Sequence, residues 1–179
     1  MTTDDRIPLL VLGLGNVLCG DDGAGVIAVH RLRRGWVLPP EVRVVDGGTL
    51  GLDLLALVAA SDRVILVDAV RADAPPGTLV RLSGSEVAPA VYERLSPHQI
   101  GVGDLIAGAT LVERYPIDVV IIGIVPETTD LQLGCTQVVT ENLEALVDEV
   151  LIELAARGYE PVPRDASLQP HAGARALGL

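Results

Sequence analysis

Two adjacent carboxylates, Asp21 and Asp22, stand inside the run LLVLGLGNVLCGDDGAGV, residues 9–26. Residues 9–14 form an apolar stretch of buried-strand length, broken by Gly13, Gly15 and Gly20, and a helical pattern opens at Gly23. Acids in that position reject anions. A phosphate loop offers bare N–H groups and the positive end of a helix to its ligand. The dinucleotide pattern G-x-G-x-x-G also fails here, because Gly13-Leu14-Gly15 is followed by Asn16, Val17 and Leu18. For either acid alone, helix capping is an ordinary role, worth about 0.3–1 kcal/mol. Two more apolar stretches close on acids: residues 41–45 reach Asp46, and residues 63–67 reach Asp68. If these strands are parallel, all the acids share one rim. Crowded carboxylates raise one another's pKa or attract a cation.

A cation held by carboxylates needs a further ligand, and the chain offers three histidines. His30 falls within the first helical pattern and His171 within the C-terminal tail, both ordinary surface positions; His98 follows Pro97 in a loop. Two carboxylates and one imidazole make an oxygen–nitrogen set suited to a divalent first-row ion with open coordination positions. Other chemistries find less support. Every one of the 13 basic residues is Arg, which removes a Schiff base, a Ser–Lys dyad and a P-loop. Cys19 and Cys135 are isolated, with no C-x-x-C spacing. A thiol among carboxylates has its thiolate disfavoured, so packing is the better reading of Cys19. No serine sits in a G-x-S-x-G elbow, Ser96 reads as the start of a turn with Pro97, and H-E-x-x-H is absent.

The elements that must position these residues follow from periodicity. Strands are expected at residues 9–14, 41–45, 63–67 and 119–124, with residues 78–82 (TLVRL) alternating like an edge or antiparallel strand. Helices are expected at residues 23–34, 52–60, 103–112 and 138–157. The last carries a stripe of Val139, Leu143, Leu146, Val147, Val150 and Leu154 and stops at Gly158. Strands alternating with helices predict an α/β fold: a three-layer α/β/α sandwich around a mostly parallel, mixed five-stranded sheet. In such sheets ligands sit beyond the carboxyl ends of the strands, where strand order reverses. Residues 1–160 are expected to form a single domain, and the Pro-, Ala- and Gly-rich residues 161–179 a disordered tail. A net charge of −11 argues against nucleic acid and anionic membrane surfaces. The acidic start MTTDDRIP has no apolar h-region, and no apolar stretch is long enough to span a bilayer. A reducing cytoplasm is the expected setting.

Taken together, several short motifs resemble the [NiFe]-hydrogenase maturation endopeptidases. They are Gly13-Leu-Gly-Asn16, the D-D-G-x-G of residues 21–25, Asp46-Gly-Gly-Thr49, Val67-Asp68-Ala69, Ser96-Pro97-His98-Gln99 and Ile122-Gly-Ile-Val-Pro126-Glu127. They occur in family order over residues 9–158. The resemblance implies a single α/β/α domain that clips a C-terminal extension from a hydrogenase large-subunit precursor after nickel insertion. It implies that the metal is the substrate's nickel, with no organic cofactor, sensed by Asp22, Asp68 and His98, and that Asp46 supports the site. Family members often carry Glu where Asp22 stands. The partner would be the precursor and the protein itself a monomer. Two other readings stay open on the residues alone: a hydrolase of small amides with a resident metal, and a non-enzymatic metal- or dinucleotide-binding module. No nucleophile–base pair stands out, so the step that breaks the peptide bond is not legible.

Overall fold

A computed structural model describes residues 6–87 and 116–164. Five strands form the main sheet: β1 (Ile7–Leu14), β3 (Val42–Gly48), β4 (Ser61–Ala69), β5 (Leu79–Ser83) and β6 (Asp118–Ile124), in the order β3-β1-β4-β6-β5. β3, β1, β4 and β6 are parallel, and β5 runs antiparallel along the edge beside β6. That matches the expected mixed sheet. β1 and β4 are buried on both faces, which is why they read as continuous Leu, Val and Ile rather than as an alternation.

Two crossovers create the functional edge. From β1 the chain passes through α1 (Ala24–Gly35) to β3 on one side, then through α2 (Leu55–Ala59) to β4 on the other side of β1. Strand order therefore reverses between β1 and β4, and their carboxyl ends open a crevice. On one face, Leu9, Val11, Ile65, Val67 and Ile122 pack with α1 and with α3 (Gln137–Ala156). On the other, Leu10, Leu12, Leu66 and Ile121 pack with Leu54 and Val58. Each buried Leu or Ile contributes about 1.5–3 kcal/mol.

The stripe expected on the long helix is the buried face of α3, and the helix stops as expected. Gly158 takes φ +81°, its N–H bonds to the Ala155 carbonyl, and Tyr159 N–H reaches the Leu154 carbonyl. Glu153, buried on α3, was not singled out from sequence. It accepts from Arg81 Nε and Nη2 at 2.7 and 3.1 Å and pairs with Arg157, which also reaches Asp118. These contacts tie α3 to β5 and β6.

Some expectations need correction. The helix expected over residues 52–60 begins as a 3-10 turn, Gly51–Leu54, before α2. A two-stranded ribbon was missed: β2 (Trp36–Val37) pairs antiparallel with β7 (Val162–Pro163). Residues 161–164 are among the described residues and carry this strand. Arg164 N–H bonds the Gly35 carbonyl, and Arg164 Nε reaches the Arg33 and Trp36 carbonyls. The expected helix at residues 103–112 and most of the loop carrying His98 lie outside the described residues, as do residues 165–179. Among the described residues no helix is long and apolar enough to cross a membrane.

Candidate active site

Parallel register sets Asp46 of β3 level with Gly13 of β1, and Gly13 level with Val67 of β4. Asp46, the segment after β1 and Asp68 thus share the carboxyl edge of the sheet, as the acid-ended strands suggested. The glycines of the first motif bring α1 onto that edge. A Cβ on Gly25 would lie 2.1 Å from the Val67 carbonyl oxygen and 2.6 Å from that of Leu14. One on Gly13 would lie 2.5 Å from Val29 Cγ2. The start of α1 is therefore seated directly on the ends of β1 and β4. Gly15, at φ +118°, lets the chain double back so tightly that a Cβ there would meet the Asp22 carbonyl oxygen at 1.7 Å.

Asn16 holds the returning loop. Its side-chain oxygen accepts the Leu18 N–H at 3.0 Å, and its carbonyl accepts the Cys19 N–H. Its own N–H donates to Asp22 Oδ2 at 2.7 Å. The loop leads into a 3-10 turn, Gly20–Gly23, in which both acids are buried. The N-cap positions of the turn and of α1 are Cys19 and Gly23, not the acids.

The two acids have different environments. Asp21 is fully buried and points to the loop between β6 and α3. Its Oδ2 accepts the Glu127 and Thr128 N–H groups at 2.8 and 3.2 Å and the Thr136 hydroxyl at 3.0 Å, while Oδ1 accepts the Thr136 N–H at 2.7 Å. This is an anchor, with its charge met by backbone donors. Asp22 instead acts electrostatically on Asp68, at the end of the central strand β4. Burial, then the Asp22 charge, push the Asp68 carboxyl up from 3.8 to about 7, against a lowering bond from the Ala69 N–H to Asp68 Oδ1 at 2.8 Å. Two acids from the ends of β1 and β4 meet where strand order reverses. One of them is poised to exchange a proton near neutrality.

Asp46 carries a partner that the sequence did not reveal. His30 Nε2 on α1 lies 2.7 Å from Asp46 Oδ2, so the end of β3 is latched to the helix above it. His98 lies outside the described residues, and among the described residues no group of three or more metal-ligating side chains occurs. Burial and the Asp21 charge push the Cys135 thiol up to about 11. A thiol so protonated is a poor nucleophile. Cys19 forms an isolated parallel bridge with Gln132.

The family model described as HycI, hydrogenase maturation protease, matches residues 26–153. The chain is 35% identical over 159 residues to hydrogenase 2 maturation protease of Escherichia coli K12, spanning 88% of this chain and 97% of that protein. It is 39% identical over 155 residues to the hydrogenase expression/formation protein HupD of Rhodobacter capsulatus, spanning 85% of this chain and 73% of that one. Among solved structures, the hydrogenase maturating endopeptidase HybD from E. coli superposes with a TM-score of 0.82 at 35% identity, over 88% of this chain and 98% of that one. The [NiFe] hydrogenase maturation protease HybD from Thermococcus kodakarensis superposes with a TM-score of 0.63 at 27% identity, over 83% and 99%.

Proposed function

The chain belongs to the hydrogenase maturation protease family, and from that premise we propose that it removes the C-terminal extension of a [NiFe]-hydrogenase large-subunit precursor after nickel has been inserted. In this reading Asp22, Asp68 and His98 sense nickel that arrives inside the substrate, and the enzyme acts as a monomer in the cytoplasm. One observation carries it: Asp22, after β1, and Asp68, at the end of β4, lie at the switch point of the sheet, where the Asp22 charge and burial raise the Asp68 carboxyl. Such a pair is relieved either by a proton or by a cation. A precursor presenting nickel supplies the cation, and an empty precursor does not.

The metal within the substrate supplies Lewis acidity toward the peptide carbonyl or a water. The chain's own residues do the remainder. Asp22, held by the Asn16 N–H, fixes one edge of the site. Asp68, held by the Ala69 N–H, presents the second carboxylate from the end of β4. Attack by water fits the chemistry of Cys135, whose proton is held to about 11.

The test is incubation with a nickel-loaded, extended large subunit, with mass measured before and after. The loaded precursor is expected to shorten and the nickel-free precursor to persist. Asp68→Asn and His98→Ala are each expected to abolish processing while the fold survives. Processing at the wild-type rate in either variant overturns the site assignment, and equal cleavage of the nickel-free precursor overturns nickel sensing. Stoichiometric metal in the purified enzyme would favour a hydrolase with a resident ion.

A further inference from the structure

The loop between β6 and α3 displays two leucines that contribute nothing to the core. Leu131 is 87% exposed and Leu133 is 81% exposed. In the loop after β1, Val17 and Leu18 are 43% and 50% exposed. An exposed apolar side chain on a frayed loop calls for no explanation, but these loops are not frayed. Gln132, between the two leucines, donates its N–H to the Leu18 carbonyl at 2.9 Å and accepts the Gly20 N–H at 2.8 Å. Asp21 N–H donates to the Thr128 carbonyl, and the Asp21 carboxylate takes the Glu127, Thr128 and Thr136 N–H groups. Thr128 and Asp130 bond each other twice. A buried carboxylate and a ladder of main-chain bonds hold four apolar side chains out toward water. Surfaces built in this way mark interaction sites.

β1 and β6 flank β4 in the sheet, so the loops leaving them stand on either side of the strand that ends in Asp68. Asp22 and Leu18 belong to the same loop and turn. A folded protein that brings a peptide bond to Asp22 and Asp68 meets these leucines as it approaches.

We propose that Leu131 and Leu133, with Val17 and Leu18, form the docking surface for the protein substrate, receiving an apolar patch of the precursor beside the bond to be cut. The inference rests on the reading that the site acts on a folded protein precursor. Binding there is ground-state binding, separate from the acid pair, so it sets KM and leaves kcat alone. In protein interfaces a few well-packed side chains carry most of the affinity.

The experiment compares wild type with the double variant Leu131→Ser/Leu133→Ser on the nickel-loaded precursor. A rise in KM of roughly ten-fold or more is expected, with kcat unchanged and the melting temperature unmoved. A second measurement uses the non-cleaving Asp68→Asn background and reads precursor affinity directly by surface plasmon resonance; the serine substitutions are expected to weaken it by a similar factor. Unchanged KM and affinity, with wild type active, overturn the docking surface while leaving the protease assignment standing. A wild type that leaves the loaded precursor intact overturns the protease reading, and the docking inference with it. A fall in melting temperature in the double variant would mean that the chain's own residues cover the leucines. A dimer in wild type that dissociates in the variant would mean that a second copy covers them. Either result overturns the proposal.

Discussion

Replacing Asp68 with Asn should make the protein more stable and inactive at once. The carboxyl titrates near 7 in the fold and near 3.8 when unperturbed. Between those values the folded chain retains a proton that the unfolded chain has released. Wild-type stability therefore falls as pH rises through that interval, and the loss persists above it. At 1.36 kcal/mol per pH unit the interval sets a ceiling of about 4 kcal/mol. Asn has no such proton to lose, and its carbonyl oxygen can still accept the Ala69 N–H that Asp68 Oδ1 takes at 2.8 Å. The variant is expected to exceed wild type by about 2–4 kcal/mol at pH 8, with the two converging near pH 4. For a chain of this length, that is a rise of about 4–15 °C in melting temperature at the higher pH. Urea unfolding followed by circular dichroism from pH 4.5 to 8.5 measures it. Parallel stability curves, or a wild type more stable than the variant at pH 8, would refute the reasoning. The precursor assay on the same samples should show processing lost, separating the role in the reaction from the cost to the fold.

Asp21→Asn should do the reverse. An amide cannot accept at both oxygen positions, so its NH2 group meets the Thr136 N–H or the donors at Oδ2; a loss of about 2–4 kcal/mol is expected by denaturant titration. Less than about 1 kcal/mol would show that the anchor is dispensable. Gly25→Ala puts a methyl group against the Val67 and Leu14 carbonyls and should cost roughly 3 kcal/mol or more, read as a fall in melting temperature. Cys135, its thiol raised from 9.0 to about 11, should alkylate about 100-fold more slowly at pH 8 in the folded protein than in urea, followed by mass in a Cys19→Ser background.

What could be read from sequence depended on the range of the interaction. The buried strands, the antiparallel edge strand TLVRL and the stripe of α3 are local patterns, and each falls within three residues of its expected place. The shared rim followed from parallel strands alone. The separate roles of Asp21 and Asp22 did not, because Asp21 is defined by N–H groups more than a hundred residues away, at Glu127, Thr128 and Thr136. The His30–Asp46 contact depends on where α1 lies over β3, which no spacing encodes. The Trp36–Val37 ribbon was too short to carry periodicity, and its partner Val162–Pro163 lies in a Pro-rich segment that reads as a tail. His98, which the family resemblance adds to the acids, lies outside the described residues.

The doubling back of the chain at Gly15 makes the length of this loop as constrained as its composition. Asp21 faces inward and Asp22 faces the crevice because a fixed number of residues separates them from Asn16, whose N–H meets Asp22. One residue inserted or deleted among positions 17–20 would move both acids one place along the 3-10 turn: an insertion puts Asp21 in the presenting place and Gly20 in the anchoring one, and a deletion puts Asp22 in the anchoring place and Gly23 in the presenting one. Point substitutions in this segment are graded in their effect, whereas a change of length is all or none. Among homologues, gaps should therefore be excluded from residues 15–25 more strictly than amino-acid changes are, and the tandem acids should be inherited as a unit of fixed spacing.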